Sequence, residues 1–122
     1  MMSEAKHPEF KIGLVGPCAA GKSTITGLLR LRGLNIKPIA QEHSYVQQMW
    51  QIITKPDVLI FLDVTYENTI LRRKLNWNRE EYEEQLRRLG HAYQHADLVI
   101  DTNGLTPAQV AEEILAFINK NL

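Results

Sequence analysis

The chain has a single cysteine, Cys18, among its 122 residues, so no internal disulfide is available and a reducing, cytoplasmic setting is expected. No apolar run approaches the ~20 residues of a spanning helix or resembles the hydrophobic stretch of a secretory leader. No membrane partner is expected. Charge of one sign is missing as well: 14 Lys and Arg balance 14 Asp and Glu, which removes the broad field that would draw nucleic acid or an anionic surface. Any phosphate ligand must therefore be held by local groups. Internal repeats and low-complexity stretches are absent too. A chain of 122 residues accommodates one domain, and the polar, unpatterned start reads as a flexible arm over 1–10 ahead of a single domain over 11–122.

Against these absences stands one dense motif. The apolar run Lys11-Ile12-Gly13-Leu14-Val15 leads into Gly16-Pro17-Cys18-Ala19-Ala20-Gly21-Lys22-Ser23-Thr24, which fits the phosphate-binding loop pattern, or Walker A motif. Such a loop curls so that successive backbone N–H groups face phosphate oxygens, which favours small residues at Gly16, Ala19, Ala20 and Gly21. Lys22 then opens a helix whose N-terminus favours anions; its ammonium is placed for the β- and γ-phosphates and the Ser23 hydroxyl for Mg²⁺. The bland alternative is a tight strand-to-helix turn that binds nothing.

The rest of the chain alternates strand and helix. Helical spacing of Ile25, Leu28 and Leu29, with Gly33 as a stop, predicts a helix over 22–32. Residues 35–40 read as a strand placed at an edge by Pro38. Val46, Met49, Trp50 and Ile53 predict a helix over 44–54, ended before Pro56. Val58 to Asp63 is an unbroken apolar strand of the kind covered on both faces. Thr65 caps a helix running to about Leu75, and Asn76-Trp77-Asn78 interrupts it. Another helix follows from Asn78, with Tyr82, Leu86, Leu89 and Tyr93 on one face. Leu98 to Asp101 is the last strand, and Thr106-Pro107 opens the closing helix, whose buried side carries Val110, Ile114 and Phe117. The alternation predicts an α/β fold: a three-layer parallel sheet of about four strands with helices on both faces. The expected order places 11–15 between 36–40 and 58–63, with 97–101 at the far edge.

Read together, GPCAAGKST at the start, PDVLIFLDVTYENTILRRKL in the middle and ADLVIDTNGLTPAQVAEEILAFI at the end resemble the P-loop kinases of the adenylate kinase and small-molecule kinase group. The resemblance spans most of the chain, although only the first segment is highly specific. It implies a P-loop NTPase fold that binds ATP with Mg²⁺ through Gly16, Pro17, Cys18, Ala19, Ala20, Gly21, Lys22, Ser23 and Thr24. Arg72 matches an arginine that packs on adenine or touches phosphates, and Asn103 and Gly104 fall in the loop that lines the base. It also implies a lid over about Lys74 to Arg88, in which Arg79, Arg87 and Arg88 are candidates for neutralising the charge of a transferring phosphoryl group. Typical members carry a further strand and several helices between the first helix and the middle segment. Here 34–56 holds one strand and one helix, the usual Asp-Gly acceptor motif is absent, and Asn76 stands where many adenylate kinases have a lid arginine.

Individual residues carry two readings each. Glu42, just after the predicted 35–40 strand, sits where strand carboxyl ends face ligands; it is either a Mg²⁺ or acceptor-hydroxyl partner or a surface carboxylate. Asp63 also ends a strand and superficially looks like a Walker B aspartate. His43 is a phosphate or acceptor contact or a turn histidine. His91 and His95 share a helical face without a third metal ligand in view. Arg79, Arg87 and Arg88 each follow a glutamate by four residues (Arg87 and Arg88 after Glu83 and Glu84) or precede one, so helix-surface pairing explains them equally well. Gln47, Gln48 and Gln51 are acceptor contacts or a solvated face. Cys18 is a reactive handle or a small packing residue. The expected function is a minimal kinase acting on a nucleoside triphosphate and an unidentified small acceptor, with a nucleotide-dependent switch read by a protein partner as the alternative. No Asn-Lys-x-Asp guanine motif occurs in the chain.

Overall fold

The computed structural model describes residues 10–73 and 76–121. Strand β1 (Lys11–Val15) leads into helix α1 (Lys22–Arg30), and β2 (Asn35–Pro38) into a single 3₁₀ turn (Gln41–His43) and a wide π-type turn (Trp50–Thr54). Then come β3 (Val58–Asp63), α2 (Tyr66–Arg73), α3 (Arg79–Arg88), α4 (Gly90–His95), β4 (Leu98–Asp101) and α5 (Pro107–Asn121). The four strands form one parallel sheet in the order β2-β1-β3-β4, as the alternation of elements predicted.

Alternating residues of β3 explain the layering. Val58, Ile60 and Leu62 join one buried cluster with Ile25 and Leu29 of α1 and Val110, Ile114 and Ile118 of α5. Leu59 and Phe61 point the other way, into a second cluster with Trp50, Leu89 and Ala92. Both faces of the strand are thus covered, which is what a continuous apolar run in a parallel sheet requires. Pro38 ends the edge strand, where its missing N–H removes no ladder bond from the interior. No described helix is long and apolar enough to cross a membrane.

The predicted helix over 44–54 does not form as such. Residues 45–48 are bends and turns, and only 49–54 are helical, with Trp50–Thr54 in wide π-type geometry that Lys55 ends in a left-handed conformation (φ 49°). The cause is Gln41, whose side chain is fully buried. Its Oε1 accepts the Trp50 N–H at 2.9 Å, and its Nε2 donates to the Val46 and Arg88 carbonyls at 2.8 and 3.1 Å. A side chain thereby takes the backbone groups that a regular helix would pair internally. Of the expected apolar stripe only Trp50 is buried; Val46 and Ile53 face solvent. The helix predicted from Asn78 is similarly broken at Leu89 into α3 and α4. The predicted end of the preceding helix, at Lys74 and Leu75, lies outside the described residues.

Candidate functional site

The loops that follow β1, β2 and β4 meet at the carboxyl end of the sheet around one cavity of about 760 Å³. Its floor and wall are the loop after β1 and the first turn of α1. Gly16 must lack a side chain, since a Cβ there would stand 2.3 Å from the Leu62 carbonyl oxygen of β3. Ala19 (φ 69°) and Gly21 (φ 100°) take left-handed backbone, which costs alanine about 1 kcal/mol and glycine almost nothing. Gly21 is also the N-cap of α1, and no side chain caps that helix. Lys22, Ser23 and Thr24 of its first turn line the cavity.

Lys22 reaches back across the loop. Its Nζ donates to the Gly16 carbonyl at 2.5 Å and stands 2.8 Å from Glu42 Oε2, with the Pro17 carbonyl at 3.5 Å. Glu42 comes from the 3₁₀ turn after β2 and is 4% exposed, and its Oε1 has no hydrogen-bond partner. A buried carboxylate with one unmatched oxygen is costly unless something else completes it. His43 is exposed beside it, with Nε2 3.8 Å from Glu42 Oε2 and 3.9 Å from Cys18 Sγ.

Two side chains hold the loop from outside. Arg72 of α2 donates to the Ala19 carbonyl at 3.1 Å and to the Oγ1 and carbonyl of Thr102 at 3.0 and 2.6 Å. Buried Thr102 in turn donates to the Asp63 carbonyl at 2.7 Å, so α2, β3 and the loop after β4 are tied to the loop after β1. On the opposite side Gln85 of α3 accepts the Cys18 N–H at 2.9 Å and donates to Cys18 Sγ at 3.1 Å. Neither Gln85 nor Thr102 stood out in the sequence. Gln85 lies one turn after Tyr82 on the face that buries both, a position where a polar residue needs a partner, and that is the signal it offered.

The other candidates fall at varying distance. Arg88 lines a second recess of about 470 Å³ with Trp77, Gln85 and His43, the last shared with the main cavity. Its Nη1 is 3.4 Å from the Glu42 carbonyl and its guanidinium lies over Tyr45. Arg79 lines neither cavity; it is exposed, pairs with Glu67 and covers Tyr66. Glu83 takes no part in the arginine pairing expected of it: Arg87 and Arg88 both bind Glu84. Asn103 and Gly104 form the turn between Thr102 and Leu105, which do line the cavity, while the Asn103 side chain accepts from Thr65 and Asn68. Gln47 is a tether: it donates to the Arg87 carbonyl and accepts from the His91 amide. His91 accepts from the Trp50 indole and stacks on His95.

Asp63 does not line the cavity. Burial raises its pKa, the Val64 amide partly opposes that, and Asp101, its partner in the β3–β4 register, raises it further. Tyr82, whose hydroxyl donates to the Val64 carbonyl, is also raised, by burial first and by Asp63 second.

Fold and cavity define an α/β domain with its cleft at the carboxyl ends of parallel strands, where such sheets bind ligands. No protein-family model and no curated protein matches this chain.

Proposed function

We propose that the chain is a P-loop NTPase-type domain that binds ATP with Mg²⁺ at residues 16–24 and acts as a minimal kinase. The observation that carries this reading is the uncapped N-terminus of α1, open to a cavity beside the Lys22 ammonium. A helix that leaves its first amides unmatched by any side chain, next to a cation, is suited to an anionic oxygen cluster. The volume of about 760 Å³ lies in the range of small-molecule sites.

In this reading Lys22 leaves the Gly16 carbonyl and Glu42 for the bound phosphates. The Ser23 hydroxyl and the free oxygen of Glu42 are the groups suited to a hydrated Mg²⁺, which supplies charge neutralisation when bound. Arg72 is fixed by its bonds to Thr102 and Ala19 and presents a planar cation at the cavity wall. The second recess, which shares His43 with the first as a lining residue and carries Arg88, favours phosphotransfer over a switch without an acceptor, because it offers room for a small acceptor on the α3 side.

The test is a thermal melt with and without Mg-ATP, on the natural chain and on Lys22→Ala. Saturation at 100 times the dissociation constant adds about 2.7 kcal/mol, a rise on the order of 10 °C for a domain of this size. The shift is expected in the natural chain and not in the variant. Absence of a shift with any nucleotide overturns the reading. ATP consumption that a mixture of small metabolites accelerates then separates a kinase from a switch.

A further inference from the structure

We propose that Cys18, Glu42 and His43 form a transition-metal site at the mouth of the cavity, suited to a borderline, thiolate-seeking dication such as Zn²⁺. One ligand atom from each of the three lies within 4.8 Å of those of the other two. Tetrahedral Zn²⁺ with bonds of about 2.3 Å to sulfur and about 2.0 Å to nitrogen and oxygen sets ligand atoms roughly 3.3–3.6 Å apart. The observed 3.9 Å from Cys18 Sγ to His43 Nε2 needs only a small contraction, and the Glu42 carboxylate lies beside the same imidazole, its Oε2 3.8 Å from His43 Nε2.

Three further features point the same way. The Oε1 atom of Glu42, in a residue 4% exposed, has no partner, and a metal ion would complete the carboxylate while Oε2 keeps Lys22. Gln85 Nε2 donates to Cys18 Sγ at 3.1 Å, the outer-sphere bond that orients and stabilises a ligating thiolate. The His43 side chain is 60% exposed, so an ion enters from solvent and water fills the fourth position. On binding, Cys18 releases its thiol proton to solvent and His43 donates the neutral Nε2 lone pair. The site shares the free oxygen of Glu42 with the Mg²⁺ position proposed above and differs from it in donor set, because sulfur and imidazole select borderline and soft metals. All three ligands line the nucleotide cavity, so the ion competes with Mg²⁺ and bound phosphates, a consequence that rests on the function proposed above.

Cobalt(II) titration of the full chain, in a non-chelating reductant and without nucleotide, tests the site independently of ATP binding. The expected result is one equivalent bound with a thiolate-to-cobalt charge-transfer band and tetrahedral ligand-field bands, all displaced by Zn²⁺. Cys18→Ser, which keeps the size of the side chain, is expected to abolish the charge-transfer band. His43→Gln, at an exposed position, is expected to weaken binding at least about tenfold. No band in the natural chain, or unchanged affinity in His43→Gln, overturns the proposal. If cobalt binds as expected while Mg-ATP causes no thermal shift, the metal site stands and the nucleotide reading falls.

Discussion

A carboxylate at the end of a buried strand is held against its own solvation, and Asp63 shows what that does to stability. Its pKa is raised chiefly by burial, with Asp101 adding to the effect. The folded state therefore holds the proton more tightly than the unfolded chain. The sign follows: this stabilisation is complete below the unfolded carboxylate range and is lost as pH rises through the folded pKa. Asp63→Asn, which keeps an acceptor for the Val64 amide, is expected to be more stable than the natural chain at neutral pH. The gain is no more than about 1 kcal/mol, because the side chain is only half-buried, and it disappears as pH falls through the carboxylate range. Denaturant midpoints of the two proteins across that range check this; a difference independent of pH would contradict it. Glu84 acts in the opposite sense, lowered first by its hydrogen bond to Arg87, so its small contribution is present above its unfolded pKa and fades in acid.

At the scale of elements, the segments legible in the sequence are those whose backbone groups pair in regular helical turns or strand ladders. β1, β3, α1 and α5 follow from apolar period and end signals; Thr106 caps α5 as expected, its Oγ1 accepting the Gln109 N–H while the Gln109 side chain accepts the Thr106 N–H. The candidate loop was legible for the same reason, since small residues before Gly21-Lys22-Ser23 dictate a curled backbone. What the sequence hid were side chains that replace backbone partners across long separations. Gln85 reaches Cys18 and Thr102 meets Arg72 only after the sheet has assembled, and Gln41 turns an apparently amphipathic segment into an irregular one. No local pattern marks such contacts. Gln41→Ala removes three hydrogen bonds and strands the buried Trp50 amide, so it is expected to cost about 3 kcal/mol in urea denaturation. A loss below about 1 kcal/mol would show that residues 44–54 hold their shape without the glutamine.

The whole molecule is a four-stranded sheet between two unequal clusters. The larger joins β1 and β3 to α1 and α5, and the smaller covers the other face with Trp50, Leu89 and Ala92. Local opening free energies follow packing and backbone pairing, which predicts an uneven map of amide hydrogen exchange. Amides of the interior strands β1 and β3 are expected to exchange slowest, near the global unfolding limit. Those of 44–54, where Tyr45, Val46, Ile52 and Ile53 are exposed, are expected to exchange faster by orders of magnitude. The loop at 16–22 falls between them, because Gln85, Arg72 and Lys22 brace it from three sides while its residues from Cys18 on line a cavity. Added Mg-ATP is expected to slow exchange at the amides of 18–24 by more than it slows the β3 amides, which report global unfolding. A ligand that binds the folded state alone must also slow the globally exchanging amides by the binding free energy, so the comparison is made as protection beyond that common factor. Excess protection confined to 18–24 would locate the phosphates on the uncapped end of α1. Uniform protection without that excess would place the ligand elsewhere, and no protection at all would agree with a loop that is only a turn.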